Sequence, residues 1–280
     1  MDKATEKRLK LFAAKMRKMI IESIYQAQSG HPGGSLSCTD ILAYLYGKKM
    51  KVDPDHTEDA DRDRFVLSKG HCAPALYSAL SLRGFFPAEE MNHLRSCGAL
   101  LQGHPCMDHI PGVDMSTGSL GQGIAAAVGM AMAGKLDKLD YRVYSILGDG
   151  ELQEGQVWEA FMAAAHYKLD NLTAFIDNNG LQIDGANDTV MSLGSIPDKL
   201  RAFGWHVIEA DGHDFAELEA AVNEAETIKG QPTVVVAHTH KGMGVSFMVD
   251  QAGWHGAAPK PDQYETAMTE LDAAIAALEV

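Results

Sequence analysis

The chain has 280 residues, of which 46% are apolar and 22% charged, and its formal net charge is −14. That length and apolar content suit one large soluble α/β domain with a sizeable core. The acidity argues against phosphate-backbone binding, because nucleic-acid footprints are basic, and no run of 18 or more apolar residues offers a membrane span.

The N-terminus, MDKATEKRLKLF, is charged from its second residue and carries no signal-peptide core, so a cytoplasmic protein is expected. Residues 5–27 are predicted as an amphipathic helix with Leu9, Phe12, Met16, Met19 and Ile20 on one stripe. Gly30, Pro32, Gly33 and Gly34 are expected to break it, and residues 36–48 to be helical again. Val52–Arg64 is polar and turn-rich, a surface loop. Cys38, Cys72, Cys97 and Cys106 have neither CxxC nor metal-finger spacing and are expected to be free thiols. The run GSLGQG (118–123) is not a dinucleotide fingerprint, and Met130 and Met132 beyond it read as core packing.

From Arg142 the pattern alternates. Arg142–Leu147, Leu172–Ile176, His206–Glu209 and Thr233–Ala237 are short apolar runs of strand type. Gln156–Tyr167, residues 196–203 and Phe215–Thr227 are helical, and Pro261–Leu278 is a closing helix. Strands alternating with helices imply an α/β fold, a mostly parallel sheet with helices on both faces. In such sheets ligands sit beyond the carboxyl ends of the strands.

Two of those ends carry the strongest chemical signal. Gly148-Asp149-Gly150 follows one strand, and Asp177-Asn178-Asn179 follows the next, one strand–helix–strand step later. Asp149 offers a carboxylate and Asn179 an amide oxygen, the donor types that Mg²⁺ prefers and commonly shares with phosphates. The glycines permit close backbone approach to those phosphates, and the following helix N-terminus favours negative charge. His238 and His240 alternate at strand spacing but lack the remaining ligands of a zinc site.

These residues resemble the diphosphate-binding signature of thiamine-diphosphate enzymes. More narrowly, the chain resembles the transketolase family through SGHPGGSLS (29–37), LSKGHCAPALY (67–77), GHP (103–105), STGSLGQGIAAAVGMA (116–131), GDGELQEGQVWEA (148–160), DNNGLQIDG (177–185) and WHG (254–256). The resemblance implies a single thiamine-diphosphate-binding domain of the diphosphate (PP) type over residues 1–280. It implies Mg²⁺, or Ca²⁺ or Mn²⁺, held by Asp149, Asn179 and the backbone oxygen of Leu181. Gly150 and His71 would contact the diphosphate, as would Lys241 in HKGMG, and Gly118 and Leu120 would lie by the aminopyrimidine. Glu154 would sit at the contact with a partner domain and link two active sites. His31, His71, His104 and His255 would surround the reacting carbon and the sugar hydroxyls. Histidine suits proton transfer at neutral pH. His56, His93, His109, His166, His206, His213, His238 and His240 are read as surface or structural.

Family members pair this domain with another that binds the aminopyrimidine and supplies a glutamate to it. No such domain is recognised here, so the resemblance implies a C-terminal transketolase subunit on a separate chain, in an A2B2 heterotetramer acting on sugar phosphates of the pentose phosphate pathway. Three other readings stay open. They are ketol transfer on a branched or sulfonated sugar, a deoxyxylulose-phosphate synthase-like or 2-oxoacid dehydrogenase subunit, and a non-catalytic regulatory subunit.

Overall fold

Asp2 starts the first helix by accepting the Thr5 N–H at 2.9 Å, and Gln28 ends it in the left-handed region at φ 48°. Between them lies α1, Lys3–Ala27, whose Leu9, Met16, Ile20, Ile21 and Ile24 are fully buried. The computed structural model describes residues 1–279; Val280, the last residue of the expected domain, lies outside them.

In chain order there follow α2 (Pro32–Ser37), α3 (Thr39–Tyr44), β1 (Arg64–Leu67), α4 (Ala73–Leu82), α5 (Gln122–Asp137), β2 (Val143–Gly148), α6 (Gly155–His166) and β3 (Leu172–Asn178). Then come β4 (Leu181–Gln182), β5 (Gly185–Ala186), α7 (Asn187–Met191), α8 (Ile196–Ala202), β6 (His206–Asp211), α9 (Phe215–Thr227), β7 (Thr233–His238) and α10 (Pro261–Glu279). Five strands form one parallel sheet in the order β1-β2-β3-β7-β6. Strands β4 and β5 make a separate antiparallel pair just after β3.

Alternate residues of the central strands enter opposite cores, as a sheet covered on both sides requires. Tyr144, Ile146, Phe175 and Val235 join the core beneath α1, α3, α4 and α9. Val143, Leu147, Ile176, Val234 and Val236 join the one beneath α5, α6 and α8. The α/β expectation is thus met, with the later strands and helices within two residues or so of the boundaries read from sequence.

Two local expectations are corrected. Gly33 and Gly34 do not break the chain; they lie inside α2, where Pro32 occupies the first turn, a position at which its missing N–H costs nothing. A Cβ on Gly34 would stand 2.8 Å from the Cys72 Sγ, so glycine is there for close packing. The polar segment from Val52 ends in a strand, β1, that pairs with β2 at the sheet edge.

Candidate active site

The carboxyl ends of β1, β2, β3 and β7 open on one edge of the sheet, and residues from all four loops line one cavity of about 350 Å³. Its walls include His31, His71, Gly118, Leu120, Asp149, Gly150, Glu154, Asn179, Leu181, Lys241 and His255. Of the residues singled out in the sequence, only His104 is not among them. Its ring stands just behind the wall, 3.0 Å from where a Cβ on Gly118 would be. Gly118 has φ 146°, a conformation that L side chains rarely adopt, so the loop meets His104 closely only with glycine there.

Asp149 is 2% exposed at the end of β2. Its carboxylate accepts the Gly150 N–H at 2.7 Å and the Gly180 N–H at 2.5 Å, tying the β2 loop to the β3 loop. Burial, and then the charge of Asp177, push its pKa up, against the Gly180 N–H, the Asn187 side chain and the Gly150 N–H. A buried carboxylate in that condition favours a cation. The Asn179 Nδ2 donates to Asp177 at 3.2 Å, which leaves its Oδ1 as the acceptor, and that oxygen takes the Leu181 N–H at 3.1 Å and keeps a second lone pair. The Leu181 carbonyl already receives an ammonium, Lys241 Nζ at 3.3 Å. Carboxylate, amide and peptide oxygens form a hard donor set, and one of them holds a stand-in cation, so the three residues fit a Mg²⁺-type ion.

Beneath this layer lies a buried ionic network that the sequence reading missed. Asp177, fully buried, pairs with Lys69 and accepts the Ser37 hydroxyl and the Thr239 hydroxyl, each at 2.5 Å. Lys69 Nζ also donates to the Gly34 carbonyl at 3.0 Å. These contacts join α2 and the loops after β1, β3 and β7. Glu151 does the same on the other side: it accepts Ser68 Oγ at 2.6 Å, the Gly121 N–H at 2.9 Å and the Gly148 N–H at 3.0 Å. Asp177 belongs to the flagged Asp177-Asn178-Asn179 run and Glu151 follows the flagged Gly150, but their side-chain partners Ser37, Ser68, Lys69 and Thr239 are far away in the chain. Burial was the signal, and sequence spacing does not carry it.

The rings of His31, His71 and His255 form a triangle with centroids 5.2, 5.5 and 5.2 Å apart. Burial, then His71, lower the His31 pKa to about 4. Burial, then the Lys241 charge, lower that of His255 to about 3. His104 is lowered too, by burial and then by Arg95. The Lys241 ammonium lies 3.0 Å from His255 Nδ1, which makes that nitrogen the acceptor and leaves the ring proton on Nε2. His31 Nδ1 is buried with no hydrogen-bond partner among the described residues. The cavity thus joins a cationic and oxygen-rich end to a cluster of imidazole rings. Glu154, exposed at the start of α6, stands on its rim. The remaining histidines lie elsewhere: His213 sits on Asp40 at 2.7 Å, His206 on Glu224 at 2.7 Å, and His238 and His240 are exposed.

A family described as "Transketolase, thiamine diphosphate binding domain" matches residues 9–274. The chain is 45% identical over 271 residues to a subunit of the apulose-4-phosphate transketolase of Phocaeicola vulgatus, covering 97% of this chain and 96% of that protein. It is 46% identical to the "6-deoxy-6-sulfo-D-fructose transketolase subunit SqwG" of a Clostridium species, covering 92% and 94%. Human transketolase is 41% identical over 94% of this chain, which spans only 42% of that protein. The crystal structure of a Campylobacter jejuni transketolase superposes with a TM-score of 0.90 at 30% identity, covering 99% of this chain and 46% of that one.

Proposed function

This chain belongs to the transketolase family, through its thiamine diphosphate binding domain, and on that premise we propose that it is the N-terminal subunit of a split ketol transferase. The observation that carries the reading is convergence: residues from four strand ends, far apart in sequence, line one cavity with an oxygen donor set at one end and three histidine rings at the other.

Asp149, the Asn179 amide oxygen and the Leu181 carbonyl would hold Mg²⁺. Gly150, His71 and Lys241 would face the diphosphate, and Gly118 and Leu120 the aminopyrimidine. Bound there, thiamine diphosphate supplies the electron sink for breaking and making a carbon–carbon bond beside a ketose carbonyl. The protein's own part is to bind, orient and move protons. At neutral pH His31 and His255 are uncharged, so His31 offers one donor and one acceptor nitrogen, and His255, whose Nδ1 takes the Lys241 ammonium, offers its Nε2–H to sugar hydroxyls. His71 stands between them and His104 behind Gly118, where they would complete the proton-handling set. The Asp177–Lys69 and Glu151 networks hold the loops rigid, which keeps the reacting atoms in register.

A second chain would complete the site. Residues 122–134 of α5 carry no charge, yet Gln122, Gly129 and Ala133 on that helix face solvent; Leu120 and Ile183 are exposed in the cavity wall, and Met162 is exposed on α6. A helix uncharged on all sides is normally covered. The relatives of matching length are named as subunits. We therefore propose a C-terminal transketolase subunit on this face, in an A2B2 assembly. The names of those relatives also favour a modified ketose, branched or sulfonated, over the ordinary pentose phosphate as donor.

The test is reconstitution with the cognate second chain, offering xylulose 5-phosphate, apulose 4-phosphate or 6-deoxy-6-sulfofructose as donor and an aldose phosphate as acceptor. The complex transfers a two-carbon unit from one of these, the chain alone is inactive, and Asp149→Ala abolishes Mg²⁺-dependent cofactor binding by calorimetry while the circular dichroism spectrum is kept. Pyruvate consumption by the complex, or unchanged cofactor affinity in Asp149→Ala, overturns the reading.

A further inference from the structure

Lys241 occupies a position that contact with a diphosphate does not require. It is 2% exposed, and its ammonium rests on the Leu181 carbonyl at 3.3 Å and on His255 Nδ1 at 3.0 Å. Both partners are uncharged. The other buried ammonium in the cavity, that of Lys69, is paired with the Asp177 carboxylate and the Gly34 carbonyl and has no charge to spare. The Lys241 stem is pinned where it leaves the loop after β7. A Cβ on Gly33 would lie 3.0 Å from its Cγ and 3.2 Å from its Cε, and the backbone around it bonds to Gly33 and Asp250. Only the tip of the side chain is free to choose its partner.

That partner is an oxygen that the divalent ion needs. An ammonium and a divalent cation cannot share one carbonyl, since their repulsion at contact distances outweighs a single weak hydrogen bond. An anionic phosphate oxygen, in turn, is a far better acceptor for an ammonium than a peptide carbonyl.

Resting on the cofactor reading above, we infer that Lys241 is a placeholder cation: in the cofactor-free protein it occupies the Leu181 oxygen, and it swings onto the diphosphate when ion and cofactor enter together. The placeholder offsets part of the charge of Asp149 and Asp177 while the site waits, and it opposes capture of a bare metal ion. Once the diphosphate arrives the same ammonium stabilises the complex. Metal and cofactor binding are therefore coupled through one side chain, each favouring the other reciprocally.

One substitution must then have two effects of opposite sign. Lys241→Met in the chain assembled with its partner subunit binds Mn²⁺ alone on the order of tenfold more tightly, read by electron paramagnetic resonance, because the competitor is gone. The same variant binds thiamine diphosphate at saturating Mg²⁺ on the order of tenfold more weakly, read by calorimetry. Lys241→Arg keeps the charge and gains no Mn²⁺ affinity. Lys241→Gln, neutral but polar-tipped, gives the methionine result should the methionine variant fail to fold. Unchanged or weaker Mn²⁺ binding in the neutral variants, or tighter binding in the arginine variant, overturns the placeholder role. If the unaltered assembly binds cofactor and Mg²⁺ normally, the cofactor reading survives that loss; if it binds neither, both fall.

Discussion

The imidazoles of His31 and His255 stay neutral far below the usual histidine range because burial disfavours their charged forms, helped by His71 beside His31 and by the Lys241 charge beside His255. That has a consequence for stability. An unfolded chain takes up protons on these histidines as pH falls through about 6.5, while the folded chain refuses them until about 4 for His31 and about 3 for His255. The stabilising contribution is therefore complete above pH 6.5 and is lost as pH falls towards 4. Urea denaturation of the cofactor-free chain gives a lower unfolding free energy at pH 5 than at pH 7. The double substitution His31→Asn, His255→Asn flattens that slope, and an unaltered slope would refute the assignment. At this scale the sequence was informative where chemistry is local. GDG and the paired asparagines announce their loops because turn geometry and oxygen donors are written into adjacent residues. The pairing of Lys69, Asp177 and Glu151 was not legible, because their partners lie up to 140 positions away.

Elements whose two sides differ in polarity are the ones the sequence revealed. Helix α1 has a buried stripe and a charged face, so its period is visible. Helix α4 is buried almost throughout, from Ala73 to Ser81, and shows no period at all. Strand β1 has four residues and begins at an arginine, so it reads as the tail of a polar loop. Between elements, the junction of α1, α3 and α9 rests on one acid. Asp40, 4% exposed, bonds Arg17 of α1 at 2.5 Å and His213, just before α9, at 2.7 Å. Burial raises its pKa, but Arg17 and His213 outweigh that and leave it lowered. Its contribution is thus present above the ordinary carboxylate range and lost only in strong acid. Asp40→Ala leaves the partly buried Arg17 guanidinium without its carboxylate and costs about 2–4 kcal/mol, somewhat under a fully buried pair, measured by urea unfolding at pH 7; a loss under about 1 kcal/mol would show the junction held by packing alone.

For the molecule as a whole, the α5 face decides whether this chain works with another. Gly129 is exposed within the helix, and a Cβ placed on it meets nothing within 4 Å. Gly129→Glu therefore leaves the isolated chain folded, and the helix gains about 0.5–1 kcal/mol because glycine is a poor helix former. The same substitution sets a charge in the middle of the proposed contact, whose area is of the obligate class, roughly 2,000 Å² or more. Sedimentation of the mixed subunits shows no complex for the variant. Full assembly of the variant would place the partner elsewhere. Strand order adds one more consequence. Strand β3 pairs with β7, some sixty residues later, and β6 lies outside β7. Asp177 likewise waits for Thr239, and the Leu181 oxygen for Lys241. On the ribosome, then, the nascent polypeptide has no vitamin pocket until β7 and the loop that carries Thr239 and Lys241 have left the exit tunnel, so loading must wait for that segment.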